Sequence, residues 1–150
     1  LQGAQPKLTF NPSTGHIEIG SNIILSNNLS LTQSLDILAD YFFNTRDLKN
    51  GYIWIDLKGL SFGKKPCFLS LCFFNGKLIS ATWNIILSNA PIVWPDKENI
   101  LEELELVRTE LKAQLGVQLS NKQFKFSWGY VWSYFDPKGN LASNGLRYSS

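Results

Sequence analysis

The stretch from Phe124 to Tyr134, F-K-F-S-W-G-Y-V-W-S-Y, constrains the fold of this chain more than any other. Each even-numbered position in it is aromatic: Phe124, Phe126, Trp128, Tyr130, Trp132 and Tyr134. The odd positions, Lys125, Ser127, Gly129, Val131 and Ser133, are small or polar. Side chains alternate faces along a strand, so a period of two places six rings on one face. A helix would scatter them around its circumference, and the pattern therefore predicts a strand. Aromatic side chains dominate core burial, so this wall is expected to lie beneath helices as core. The competing reading is an exposed stacking or docking platform.

A chain of 150 residues with 44% hydrophobic content is long enough for one domain, residues 1–150, around a sizeable core. It contains no methionine, and Leu1 to Pro6 are expected to be a cloning remnant or disordered. A net charge of +2 argues for neither nucleic acid nor membrane as a partner. No stretch approaches the roughly 20 apolar residues of a bilayer span. The N-terminus shows neither the basic start nor the apolar run of a signal peptide, which predicts a cytoplasmic location. Cys67 and Cys72 fall in one predicted strand, roughly 16 Å apart and on opposite faces, too far to pair with each other. They read as buried free thiols.

Lys7–Phe10 and His16–Leu25 read as a hairpin around Asn11-Pro12-Ser13-Thr14-Gly15. Ser30-Leu31-Thr32-Gln33 matches a capping box, and Leu31, Leu35, Leu38 and Phe42 continue it at helical spacing. The next strand sets Ile53, Ile55 and Leu57 against Tyr52, Trp54, Asp56 and Lys58. Asn75-Gly76 signals a two-residue hairpin that pairs Phe74 with Lys77 and, carried on, Cys72 with Ile79 and Phe68 with Trp83. On that register both faces of the hairpin are rich in apolar residues. Ser88-Asn89-Ala90-Pro91 ends the run, and Asp96 is the expected N-cap of a second helix with Ile100, Leu104, Val107, Leu111 and Leu115 inward. The aromatic strand, a type I turn at Asp136-Pro137-Lys138-Gly139 and a last strand follow. The expected fold is α+β: a mainly antiparallel, curled sheet of about seven strands with two amphipathic helices, in the order ββαβββαββ.

Chemistry is harder to find than structure. His16 is the single histidine, and no closely spaced Cys/His set suggests zinc. Gly59 to Lys65 has the look of a phosphate loop, but is one residue short between its glycines and lacks the Ser/Thr that would hold magnesium. No catalytic constellation, metal or cofactor is expected. Trp128-Gly129-Tyr130-Val131 echoes an RNA-recognition strand, yet the leading basic-glycine pair is missing and Ser133 replaces the last aromatic, so nucleic acid is not the expected partner. What stands out is Leu106, which breaks the helical pattern by falling on the outward face of the second helix. Glu102, Glu103 and Glu110 surround it, with Glu98 and Trp94 nearby. An apolar anchor ringed by carboxylates suits a basic protein partner.

The segment W-G-Y-V-W-S-Y-F-D-P-K-G-N, with the Asn-Gly hairpin and acidic-faced helix before it, resembles small bacterial immunity proteins of polymorphic or contact-dependent growth-inhibition toxin systems. The resemblance covers about Phe68 to Tyr148. It implies a non-catalytic inhibitor, an antitoxin acting by protein–protein interaction. Such a protein binds one cognate toxin domain, often a nuclease, and occludes its active site as a monomer or weak dimer. Two other readings stand beside it: a secretion chaperone holding an effector, and a carrier of a small hydrophobic ligand.

Overall fold

Two antiparallel sheets share one layer of helices in the computed structural model, which describes residues 5–27, 29–87 and 97–149. The small sheet is formed by β1 (Leu8–Phe10), β2 (Ile17–Ile19) and β3 (Ile23–Leu25). After α1 (Leu31–Ile37) come β4 (Phe42–Asp47), β5 (Tyr52–Phe62), β6 (Lys65–Phe74) and β7 (Lys77–Ile85). Helix α2 (Lys97–Leu115) leads to β8 (Phe124–Phe126), β9 (Gly129–Asp136) and β10 (Leu141–Tyr148). The large sheet has the order β4-β5-β6-β7-β10-β9-β8. The α+β class and the alternation of strand groups with two helices are as expected, and each strand group holds one strand more. Ser88 to Asp96, with the expected strand end and N-cap, lie outside the described residues.

The extra strands have local causes. Gly20, at a φ of 62°, turns the second hairpin arm back on itself and separates β2 from β3. At α1 the capping box forms, with Ser30 Oγ accepting from the Gln33 N–H at 3.1 Å and Gln33 Oε1 accepting from the Ser30 N–H at 3.2 Å. The helix nevertheless ends at Ile37, and Phe42 belongs to β4, not to the helix. Aromatic and β-branched residues in Phe42-Phe43-Asn44-Thr45 favour a strand, and the ladder with β5 takes up their backbone groups.

The third case changes the aromatic wall. Ser127 and Trp128 form a turn, and Phe126 pairs with Gly129, Lys125 with Tyr130 and Phe124 with Val131. A two-residue turn pairs even positions on one arm with odd positions on the other, and directly paired residues share a face. Phe124 and Phe126 therefore lie on the side of Val131, while Tyr130, Trp132 and Tyr134 lie on the opposite side. The six rings are not one wall.

Register also decides the central hairpin. Phe74 pairs with Lys77 and Phe73 with Leu78 as expected, but a bulge then adds Ile79 to β7, so that Cys72 faces Ser80 and Leu69 faces Trp83. One extra residue exchanges the faces of everything beyond it. Trp83 joins Leu69, Leu71 and Ala81 in the core, at 1% exposure, and packs its ring 4.6 Å from that of Phe10. Phe68 pairs with Asn84 instead, on the other face.

One side of the large sheet holds the core. Ile55, Leu57, Leu71, Phe73, Trp83, Val131 and Leu146 meet Phe10, Ile17 and Leu25 of the small sheet, Leu38 after α1, and Val107 and Leu111 of α2. Phe126 and Trp128 pack on this side as well. The Trp128 Nε1–H donates to the Pro12 carbonyl at 2.9 Å, and its indole lies where a side chain on Gly15 would be. Tyr148 donates its hydroxyl to the Gly15 carbonyl at 2.6 Å, so the first turn is clamped by residues from the end of the chain. At the other end of the small sheet, the Ser61 N–H donates to Pro6 and Lys7 bridges Ser61, which ties residues 6 and 7 to β5.

Candidate functional site

Among the described residues, the opposite face of the large sheet carries no second layer. Its side chains follow from register. One row across all seven strands reads Arg46, Trp54, Cys72, Ser80, Arg147, Tyr130 and Lys125. The next reads Asn44, Asp56, Ser70, Thr82, Gly145 and Trp132. The rings of these two rows therefore come from β5 and β9, and Cys72, Ser70, Ser80, Thr82 and Gly145 lie between them, with Arg147 on β10 rising among them. The surface is a trough with two aromatic walls and a hydroxyl-bearing floor.

Each wall is held in place. Trp132 lies down over β10, its Nε1–H donating to Ser143 Oγ at 3.0 Å. Any side chain at position 145 would enter its ring, so Gly145 makes that posture possible. Tyr130 packs at 5.8 Å from Trp132. On the far wall the Arg46 guanidinium sits 5.2 Å from the Trp54 ring centre and pairs with Asp56 at 2.7 and 3.1 Å. Ser70 and Asn44 also donate to Asp56, at 2.7 and 2.9 Å. Burial would raise the Asp56 carboxyl, but the hydrogen bonds from Arg46, Ser70 and Asn44 outweigh it and hold the group below the ordinary aspartate value. Phe43 and Phe68 are exposed at the same edge, with Lys58 Nζ 5.3 Å from the Phe43 ring centre.

The residues expected to contact a partner are distributed differently. Leu106 is 37% exposed, but it lines a groove of about 390 Å³ shared with Lys7, Lys64 and Lys65, so its surroundings are of mixed charge. Glu98 and Glu102 are exposed on α2. Glu110 accepts from Gln114 Nε2 at 2.8 Å and lines the same groove. Glu103 does not belong to the outward ring. Its Oε2 accepts from Asn84 Nδ2 at 2.9 Å, Asn144 Nδ2 at 3.0 Å and the Ile85 N–H at 3.2 Å, which pins α2 to the interior strands β7 and β10. Burial raises its carboxyl above the ordinary glutamate value, although these bonds oppose the shift. Glu103 stands three positions before Leu106, but the helix is turned so that Glu103 points toward the strands. Trp94 lies outside the described residues.

On the other flank of α2, Ile100, Leu101, Leu104 and Phe135 line a groove of about 770 Å³. Arg108 closes part of it by donating to the Ser133 carbonyl at 3.0 and 2.7 Å. Among the described residues no group of three His, Cys, Asp or Glu side chains is placed to hold a metal. Cys67 and Cys72 are free and buried, and burial pushes the Cys67 thiol up to about 12, far from thiolate formation at neutral pH. No helix among the described residues is long and apolar enough to cross a membrane.

The trough escaped sequence reasoning because the bulge at Ile79 and the turn at Ser127-Trp128 each exchange faces. The one signal was Gly129 after a Ser-Trp pair, in the middle of an otherwise strand-like run.

The fold thus defines a class: an α+β domain with one covered sheet face and one uncovered, aromatic-walled face. No protein-family profile matches the chain, and no curated protein matches it. Among solved structures the chain is similar to one in the complex of Rhs1-CT with its cognate immunity protein RhsI1, with 12% identity and a TM-score of 0.55. The match covers 94% of this chain and 86% of that one. At this identity the likeness is one of fold.

Proposed function

We propose that this chain is a non-catalytic immunity protein that binds a cognate bacterial toxin domain and covers its active site. The observation that carries this reading is the fold likeness along nearly the whole chain to one of a toxin–immunity complex. The uncovered sheet face supports it: aromatic residues and arginine are enriched where protein interfaces form, and this face offers Trp54, Tyr130, Trp132, Arg46 and Arg147. A two-gene test decides. The toxin domain encoded beside this chain is expressed in a bacterium with and without it, and the purified pair is run by size exclusion. Growth restored by the chain, together with a 1:1 complex lacking toxin activity, is the expected result. Continued killing, or two separate peaks, would sink the reading. A dimer of this chain holding a toxin that stays active would favour the secretion-chaperone alternative.

A further inference from the structure

The charges on the uncovered sheet face do not balance. Among the described residues two carboxylates belong to it, and one of them is already paired with a cation. Asp56 is matched by Arg46, Ser70 and Asn44, and Asp136 Oδ1 accepts from the Lys138 N–H of the following turn at 3.0 Å. On the other side of the ledger, Arg147 and Lys125 stand exposed in the first row, flanking Tyr130, with no ion-pair partner among the described residues. Lys58 adds a third unmatched cation at the β5 edge. The trough between the aromatic walls spans four strand steps from β5 to β9, roughly 19 Å at about 4.8 Å per step. A helix is about 10 Å wide and a strand narrower, so either can lie over Ser70, Ser80 and Thr82, between Trp54 on one side and Arg147 on the other.

The geometry points to this face, not the acidic flank of α2, as the seat of the toxin partner, and we propose that the element seated there is acidic. Its carboxylates would lie over Arg147 and Lys125, and its apolar side chains against Tyr130 and Trp132. The inference rests on the immunity reading and adds to it the surface and the sign of the partner's charge. Arginine next to an aromatic face favours a protein carboxylate held in a fork, and approach is steered by the unmatched positive charge. Aromatic rings beside cations also suit single-stranded nucleic acid. The net charge of only +2 and the Asp56 and Asp136 carboxylates on the same face weigh against a phosphate backbone laid across it.

The experiment is a calorimetric titration of the full chain with its catalytically inactivated toxin domain, at 50 and at 500 mM NaCl. Wild type is compared with Arg147→Glu/Lys125→Glu, with Arg147→Gln and with Leu106→Lys/Glu102→Lys. The expected result is about a 100-fold loss for the double reversal and about a tenfold loss for Arg147→Gln. Melting temperatures should stay within about 2 °C of wild type, because both side chains are exposed. Leu106→Lys/Glu102→Lys should bind within about twofold of wild type, and wild-type affinity should fall at the higher salt. Arg147→Gln removes one charge without adding another and keeps the test valid if the double variant folds poorly. Tight wild-type binding untouched by the Arg147 variants, or lost in the α2 variant alone, overturns this inference while leaving the immunity reading standing. No wild-type binding overturns both. Submicromolar binding of a fluorescein-labelled 12-nucleotide single strand at 150 mM NaCl, lost in Arg147→Gln, would overturn the acidic-protein assignment in favour of nucleic acid.

Discussion

The outer flank of α2 and the even face of β9 are both read from periodicity, and each has the opposite environment from the one its pattern suggests. On α2, Glu103 counts as outward by helical spacing beside Leu106, yet it is the carboxylate that receives Asn84, Asn144 and Ile85. On β9, Tyr130, Trp132 and Tyr134 have the composition of a core, yet their face is the uncovered one and Val131 and Ser133 hold the buried side. A period states which residues share a face. What the face looks at depends on which elements pack there, and at both places a neighbour distant in sequence settles it.

Substitutions at three places would break or sharpen this contrast. The largest effect is expected one residue away from the aromatic face. Val131→Asp places a charge in the fully buried side of β9 and should cost about 4 kcal/mol or unfold the domain. Trp132→Ala on the half-exposed side should cost only about 1 to 2 kcal/mol. Urea denaturation of the two variants measures the difference, and equal losses would mean that the aromatic face is core after all.

The helix gives the next effect. Glu103→Ala leaves one backbone and two amide donors without this acceptor and should cost about 2 kcal/mol, whereas Glu102→Ala should change stability by less than about 0.5 kcal/mol. Denaturation midpoints for these adjacent carboxylates that fall together would return Glu103 to the outward ring. The pH dependence carries its own sign. Burial raises the folded value of Glu103, so the folded state holds its proton more tightly than the unfolded chain does. The associated stability is complete below the ordinary glutamate value of about 4.3 and is lost as pH rises through the raised folded value. Relative to Glu103→Gln, wild type should therefore lose stability as pH rises from about 4 toward neutrality. A thermal-melt series showing parallel curves would remove the burial argument.

The smallest effect concerns Asp56, whose shift runs the other way. Its carboxyl is held low in the folded state, so its contribution is present above about pH 4 and lost as pH falls through the lower folded value. Asp56→Asn should flatten this acid limb while leaving neutral stability within about 1 kcal/mol, because Arg46 is half exposed to water. An unchanged acid limb in the variant would show that the pair contributes little.

Much of the architecture was legible in local patterns. The capping box at Ser30–Gln33, the inward stripe of α2 and the Asn75-Gly76 turn rest on hydrogen bonds and spacings within a few residues, and all three stand in the structure. The failures share one kind of cause. A single added residue at Ile79 and a two-residue turn at Ser127-Trp128 exchange the two faces of a strand, and apart from Gly129 no composition signal separates a continuous strand from one that doubles back. The uncovered face was hidden for the same reason: it exists only after both exchanges are made.

By itself the sequence determined the class of fold, the two amphipathic helices, the separation of the two cysteines and the alternation along each strand, because these follow from backbone geometry and near-neighbour chemistry. Tertiary structure alone decided that Trp83 is core and Trp132 is surface. It also turned Glu103 inward and placed Arg147 between Ser80 and Tyr130. The physical reason is that a strand presents two equivalent faces, and only pairing with strands far along the chain, and the layer packed against them, makes one face interior and the other a surface.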